Sequence, residues 1–355
     1  MANVTSKPTL AVVGATGAVG TVLRSIIDER ADVYGEIRLI ASARSAGRRL
    51  AVRGVDVEVR ALTAEVFDGV DIAVFDVPDE VSAQWCPVAV ERGAVVVDNS
   101  GAFRMDPDVP LVVPEINATS ALDRPKGIIA NPNCTTLSMV LALKVLHDAW
   151  TLTGLVVASY QAASGVGQAG VDALREQVDK VAGDHTLGSR AGDLRRVISD
   201  TGPFPAPLAL NVIPWAGSLR ENGWSSEELK VRNETRKILG LPQLPVSATC
   251  VRVPVVTTHS VAVHASFADP VDAPAAQQLL RDAPGIVLCD DPERFEFPTP
   301  ADAVGTDPTW VGRIRRALDD PKALDLFLCG DNLRKGAALN TLQIAELVVA
   351  ELTGD

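Results

Sequence analysis

The sequence predicts an α/β protein of two domains, the first built on a parallel sheet. Three observations carry this. An apolar strand at 9–13 runs into Gly14-Ala15-Thr16-Gly17-Ala18-Val19-Gly20 and then into a helix at 21–30. Apolar strands go on alternating with helices as far as residue 130, the pattern of a parallel sheet. The chain has 355 residues, too many for one hydrophobic core.

Composition narrows the class. The chain is 47% hydrophobic and 22% charged, as soluble globular proteins are. Its net charge of −12 argues against nucleic acid or an anionic membrane as partner. An anionic substrate would need basic residues gathered locally against that field. The five cysteines, Cys86, Cys134, Cys250, Cys289 and Cys329, are scattered, odd in number and form no CxxC pair. This speaks against a disulfide framework and a metal site, and fits a reducing cytoplasm. The polar start at 1–8 does not read as a signal peptide, and no apolar run is long enough to span a bilayer.

In the first strand–turn–helix, the glycines let backbone N–H groups approach a pyrophosphate at a helix N-terminus. The spacing is GxxGxxG rather than GxGxxG, and a tight turn with no ligand would use the same glycines. The next strand, 36–40, leads into Ala41-Ser42-Ala43-Arg44-Ser45-Ala46-Gly47-Arg48. An NAD site wants an acid here for the ribose hydroxyl. Ser42, Arg44 and Ser45 instead suit a 2′-phosphate, which points to NADP. The competing reading of Arg44, Arg48 and Arg49 is a solvated basic loop. Strands follow at 52–60, 72–77 and 94–98, with a helix at 81–92 that takes Cys86 into the core. After Asp98 the loop Asn99-Ser100-Gly101-Ala102-Phe103-Arg104 leaves a strand C-terminus, the edge where open sheets bind ligands. Arg104 is there either an anion holder or a surface arginine.

A short strand at 127–130 meets a helix at 137–146 through Asn131-Pro132-Asn133-Cys134-Thr135-Thr136. Pro132 keeps residue 131 out of the helix, and Asn133 and the threonines suit its cap. Cys134 then lies in the first helical turn, where free N–H groups and the macrodipole favour a thiolate nucleophile. Most free cysteines are small buried hydrophobes, and this stretch alone does not separate the two readings. A strand at 152–161, a glycine-rich turn at 163–170, a helix at 171–181 and an irregular stretch at 183–214 come next. The helix 225–239 has Ser225 and Ser226 as cap candidates and Glu227, Glu228 and Lys230 in its first turns. Taken alone, Glu227 and Lys230 read as an exposed ion pair. A strand at 247–256, a kink at Thr257-Thr258-His259-Ser260 and a strand at 261–268 follow. Of His147, His185, His259 and His264, only His259 breaks a strand pattern, with Arg252 on the strand before it. It is the best-placed base for a cysteine nucleophile. The last helix, 333–352, repeats apolar residues at helical spacing and is expected to return to the first domain.

These stretches, together with Tyr160-Gln161-Ala162-Ala163-Ser164-Gly165, Glu234-Thr235-Arg236-Lys237-Ile238-Leu239, Arg252-Val253-Pro254-Val255 and Gly330-Asp331-Asn332-Leu333, resemble the aspartate-semialdehyde dehydrogenase family over nearly the whole chain. The resemblance implies a Rossmann-type parallel-sheet dinucleotide-binding domain at 1–133, completed by the helix 333–355. It implies an α+β catalytic and dimerisation domain at 134–332. Cys134 would carry an acyl thioester, His259 would be its acid/base partner, and Gln161 would orient the intermediate. Arg252 would pair with the substrate α-carboxylate and Glu227 with its amino group. Arg104, Asn133 and Lys230 would hold phosphate. Thr16, Gly17, Ala18, Val19, Arg44, Ser45, Ser164, Gly165 and Asn332 would line the NADP site. One departure stands out. Where the family has a small, glycine-containing loop after the strand at 70–75, this chain has Asp76-Val77-Pro78-Asp79-Glu80, and no cofactor contact is assigned there.

The implied reaction is the NADPH-dependent reduction of L-aspartyl 4-phosphate to L-aspartate 4-semialdehyde and inorganic phosphate, by a cytoplasmic homodimer serving lysine/diaminopimelate, threonine, methionine and isoleucine biosynthesis. Two alternatives stand beside it. An N-acetyl-γ-glutamyl-phosphate reductase would use the same thioester chemistry but would give Glu227 no ammonium to bind. A non-catalytic NADP-binding regulatory protein would need neither Cys134 nor His259.

Overall fold

In the computed structural model, which describes residues 7–354, the apolar run at the start of the chain forms β1 (Leu10–Val13), buried along its whole length. Residues 1–6 of the polar start lie outside the described residues. The chain divides into two compact units, Met1–Asn133 with Gly336–Asp355, and Cys134–Lys335.

Unit 1 follows β1 with α1 (Ala18–Glu29), β2 (Ile37–Ala41), β3 (Arg49–Val52), β4 (Val55–Ala61), β5 (Ile72–Phe75), α2 (Asp79–Glu91), β6 (Val95–Asp98), α3 (Pro114–Asn117) and β7 (Ile128–Ala130). The sheet order is β3-β4-β2-β1-β5-β6-β7. Every pairing is parallel except β3 with β4. Two differences from the sequence reading have local causes. The strand expected at 52–60 is a hairpin, because Arg53 and Gly54 both take positive φ, 52° and 70°, and reverse the chain between β3 and β4. Helix α1 begins inside the glycine stretch, with Gly17 as its N-cap.

Unit 2 opens with α4 (Cys134–Trp150) and β8 (Leu152–Gln161). It continues through α5 (Gln168–Val181), the short α6 (Asp193–Val197), α7 (Ser226–Leu239), β9 (Val246–Arg252), β10 (His259–Phe267), α8 (Ala273–Asp282), β11 (Ile286–Leu288), α9 (Pro300–Ala303), β12 (Thr309–Arg316) and β13 (Ala323–Gly330). Its sheet is mixed, in the order β11-β12-β13-β10-β8-β9. Strand β10 runs antiparallel to both β8 and β13, whereas β9 lies parallel to β8 with Arg252 opposite Gln161. The C-terminal ends of β8, β9 and β13 and the start of β10 therefore meet at one edge. Helices α4, α7 and α8 pack against this sheet. Val156 and Tyr160 point to solvent.

The end of the chain belongs to unit 1. After β13 it passes through a π-helical turn, Arg334–Ala338, into α10 (Leu339–Thr353), so the single helix expected over 333–352 is broken near its start. Leu339, Leu342, Ile344 and Val348 enter the core formed by β1, α1, β2 and β5. Arg30 grips Glu346 with two hydrogen bonds of 2.6 and 2.5 Å, and Arg124 reaches Glu351 at 2.5 Å. These pairs are partly exposed and each contributes at most about 1 kcal/mol. Each buried aliphatic side chain contributes about 1.5–3 kcal/mol, so the apolar face holds the helix in place.

Candidate active site

Cys134 is the first residue of α4, so its thiol stands at a helix N-terminus, as the Pro132 and cap-residue pattern predicts. Its Sγ lies 3.3 Å from Nε2 of His259, the first residue of β10. On the far side of the ring, the Ala162 N–H donates to Nδ1 at 3.0 Å. A nitrogen that accepts carries no proton, so the ring proton belongs on Nε2, facing the sulfur. Burial and the nearby Arg252 push the His259 pKa down to about 3, against the opposing pull of Glu227. The imidazole is thus neutral near pH 7 and presents a donor to Cys134. Three other cysteines are buried. Burial drives the thiols of Cys86, Cys250 and Cys329 up, that of Cys329 to about 11, which keeps them protonated and inert.

Charged groups surround this pair within unit 2. Arg252 ends β9, is 5% exposed, and donates from Nη1 to the Ala162 carbonyl at 2.8 Å. A Cβ added at Gly165 would come within 2.4 Å of that Nη1 and 3.2 Å of His259 Nε2. Gly165 is thus the residue that lets the turn after β8 close over both side chains. Glu227 lies in the first turn of α7 and is 7% exposed. Its Oε1 is 3.4 Å from Gln161 Nε2 and 3.5 Å from Thr135 Oγ1, and its Oε2 is 3.5 Å from Lys230 Nζ. The pair with Lys230 is therefore half-sunk into the unit, not the exposed pair that the sequence alone suggests. Gln161 also donates to Thr135, and its own Oε1 is buried without a partner. The neighbouring Glu228 has a different task. It forms a capping box with Ser225 and aims α7 so that Glu227 points inward.

Ser164 and Asn332 are buried and hydrogen-bonded to each other, at 2.9 and 3.1 Å. Asn332 Oδ1 also accepts from the N–H of Thr258 at 2.8 Å. Thr258 has φ +85°, a costly conformation for a β-branched residue, and its hydroxyl is buried without a partner. Asn332 thus anchors the strained kink that delivers His259. The sequence reads Thr135 as a cap residue and Thr258 as part of a kink, but it announces neither their contacts in the site nor the Ala162 amide. All three act through contacts distant in sequence.

In unit 1, Arg104 is buried and donates to the carbonyls of Asn131 at 2.8 Å and Asn99 at 2.7 Å. Asn133, also buried, closes this unit. Asn131 links Asn99 to Asn340 through side-chain bonds of 2.7 and 2.6 Å. At the glycine turn, a Cβ on Gly14 would strike the Asp76 carbonyl at 2.0 Å, and one on Gly20 would strike the Gly14 carbonyl at 2.3 Å. Gly17 is exposed at the start of α1, beside Thr16, Ala18 and Val19. This cradle fits a pyrophosphate. Beyond β2, the short turn Ala43–Ser45 carries an exposed Arg44 and a half-buried Ser45, with no acid at the strand end. That set fits a 2′-phosphate.

Residues 9–123 match the family model of the semialdehyde dehydrogenase NAD-binding domain, and residues 143–335 match that of the semialdehyde dehydrogenase dimerisation domain. Aspartate-semialdehyde dehydrogenase of Streptomyces akiyoshiensis is 50% identical over 97% of this chain and 99% of its own length. The chain belongs to the aspartate-semialdehyde dehydrogenase family. The Corynebacterium glutamicum member is 48% identical over 96% of this chain and 99% of its own length. Aspartate semialdehyde dehydrogenase II of Vibrio cholerae, solved complexed with ASA, superposes with a TM-score of 0.91 at 38% identity, covering 98% of this chain and 99% of that one. The α/β fold with a parallel-sheet nucleotide domain and a second dimerisation domain is thus the fold of this dehydrogenase family.

Proposed function

We propose that this aspartate-semialdehyde dehydrogenase family member converts L-aspartyl 4-phosphate to L-aspartate 4-semialdehyde with NADPH, through a thioester on Cys134. The observation that carries the reading is the 3.3 Å approach of Cys134 Sγ to His259 Nε2 at the start of α4, flanked by a buried guanidinium and a buried carboxylate.

Arg252 receives the substrate α-carboxylate and Glu227 its ammonium, which fixes the acyl carbon against Sγ. The Cys134 thiolate attacks that carbon. His259, expected as the acid/base partner, serves here as a donor: its Nε2–H hydrogen-bonds to the oxygen as that gains charge. The carbon–oxygen bond to phosphate breaks, and Arg104, Asn133 and Lys230 hold the departing phosphate. Gln161, tied to Thr135, orients the thioester. NADPH, when bound, supplies the hydride that reduces this thioester. Collapse of the resulting thiohemiacetal breaks the carbon–sulfur bond, releases the aldehyde and restores the thiolate beside the Nε2 donor.

Arg44, with no acid at the end of β2, supports NADP over NAD. Thr16, Gly17, Ala18 and Val19 cradle the pyrophosphate, and Ser45, Ser164, Gly165 and Asn332 complete the cofactor site. A buried Glu227 favours a free amino group on the substrate over the acylated amine of N-acetyl-γ-glutamyl phosphate. The apolar residues Val156 and Tyr160 on the open face of the second sheet support a homodimer. The product would feed amino-acid biosynthesis in the cytoplasm. Cys134→Ala is expected to abolish turnover of aspartyl phosphate while leaving NADP+ binding unchanged. Turnover that survives this substitution would falsify the thioester route.

A further inference from the structure

The loop after β5 runs Asp76-Val77-Pro78-Asp79-Glu80, and its first residue stands beside the glycine turn. Strands β1 and β5 run parallel in register, Val13 opposite Phe75, so the residues that follow them emerge side by side. The Asp76 N–H donates to the Val13 carbonyl at 2.9 Å. Asp76 Oδ1 accepts from Asn99 Nδ2 at 2.8 Å, which fixes the carboxylate plane. Its Oδ2 lies 3.8 Å from the position a Cβ on Gly17 would take, and no hydrogen bond within the described residues occupies that oxygen. Asp79 also has only its Oδ1 engaged within the described residues, by the Gly101 N–H at 2.7 Å, but its carboxylate lies against Gly101 and not at the glycine turn. Asp98 differs too, being fully buried and bonded to Ser82 and Ser100. Asp76 is thus the acid of this cluster with an acceptor to spare next to the glycine turn.

The order of strands says what meets that acceptor. β1 has β2 on one side and β5 on the other. With the pyrophosphate on the glycine turn and the 2′-phosphate at Arg44 beyond β2, the adenosine half of the dinucleotide lies on the β2 side. The other half then runs over the end of β5. A carboxylate cannot bind phosphate there, but it accepts well from the adjacent hydroxyls of a ribose.

We propose that Asp76 Oδ2 accepts a hydrogen bond from the hydroxyls of the nicotinamide ribose. The proposal rests on the reading that NADP lies on the glycine turn. The test is equilibrium binding, by calorimetry, of NADP+ and of 2′,5′-ADP, which lacks the nicotinamide ribose. Asp76→Ala is expected to weaken NADP+ about tenfold or more and to leave 2′,5′-ADP unchanged. The near-isosteric Asp76→Asn guards against collapse of the turn and should show a smaller loss of the same selectivity. Arg44→Ala, at the opposite end, should weaken both ligands. Unchanged or tighter NADP+ binding in Asp76→Ala would mean that the carboxylate is idle or repels the pyrophosphate, and the proposal fails. Equal loss for both ligands would mean that Asp76 only props the turn, and it fails again. If the wild-type protein binds neither ligand, the dinucleotide reading itself falls and takes this proposal with it.

Discussion

His259 shows how much one ring depends on its second nitrogen. The Ala162 amide claims Nδ1, so the proton sits on Nε2 against Cys134. Protonating the ring would cost that bond and would place a cation, inside the protein, beside Arg252. The folded pKa near 3 lies well below the ordinary value of 6.5, so below pH 6.5 the unfolded chain binds a proton that the folded chain refuses. Stability therefore falls as pH drops through this window, by about 1.4 kcal/mol per unit once well inside it. Urea unfolding of the wild type should lose about 2 kcal/mol more than that of His259→Gln between about pH 7 and about pH 5. Equal losses in the two proteins would show that the ring is charged or exposed in the fold.

Two helices deliver their functional residues by their first turns. The start of α7 is fixed by the Ser225–Glu228 capping box, which leaves Glu227 facing the site. Ser225→Ala removes the cap acceptor and should cost about 1 kcal/mol, read as a lower thermal midpoint, with a fall in kcat/KM for aspartyl phosphate as Glu227 loosens. A lower midpoint with unchanged kinetics would separate the cap from the site. The starts of α4 and α7 were legible because they are written in consecutive residues: proline and asparagine before α4, serine before α7. The glycine turn was legible for the same reason. The Arg53-Gly54 reversal was not, since an arginine at positive φ carries no turn signature. Nor was the π-helical break before α10, where apolar spacing continues across the irregular turn. The Ala162–His259 bond spans 97 positions and uses a backbone donor, so no residue type could announce it. The burial of Glu227 was equally hidden, because the sequence shows its neighbour Lys230 but not Thr135 and Gln161 folding over it.

At the scale of the molecule, each unit has its own sheet, and the second sheet keeps one face open to solvent. Val156 sits in mid-strand on that face, opposite His264 on β10, and is 54% exposed. A charge there is expected to break a dimer without touching the active-site edge. Val156→Asp should sediment as a monomer, and a dimer that persists would move the interface elsewhere. The return of α10 to unit 1 has a consequence in time. Unit 2 is the continuous stretch 134–335, so all of its residues are in the growing chain before residue 336 has been added. Unit 1, although translated first, still lacks Leu339, Leu342, Ile344 and Val348 and holds an open apolar slot in their place. The half of the protein that is made first is finished last, and its unfilled slot is exposed to chaperones and to other nascent chains until the residues of α10 have left the ribosome.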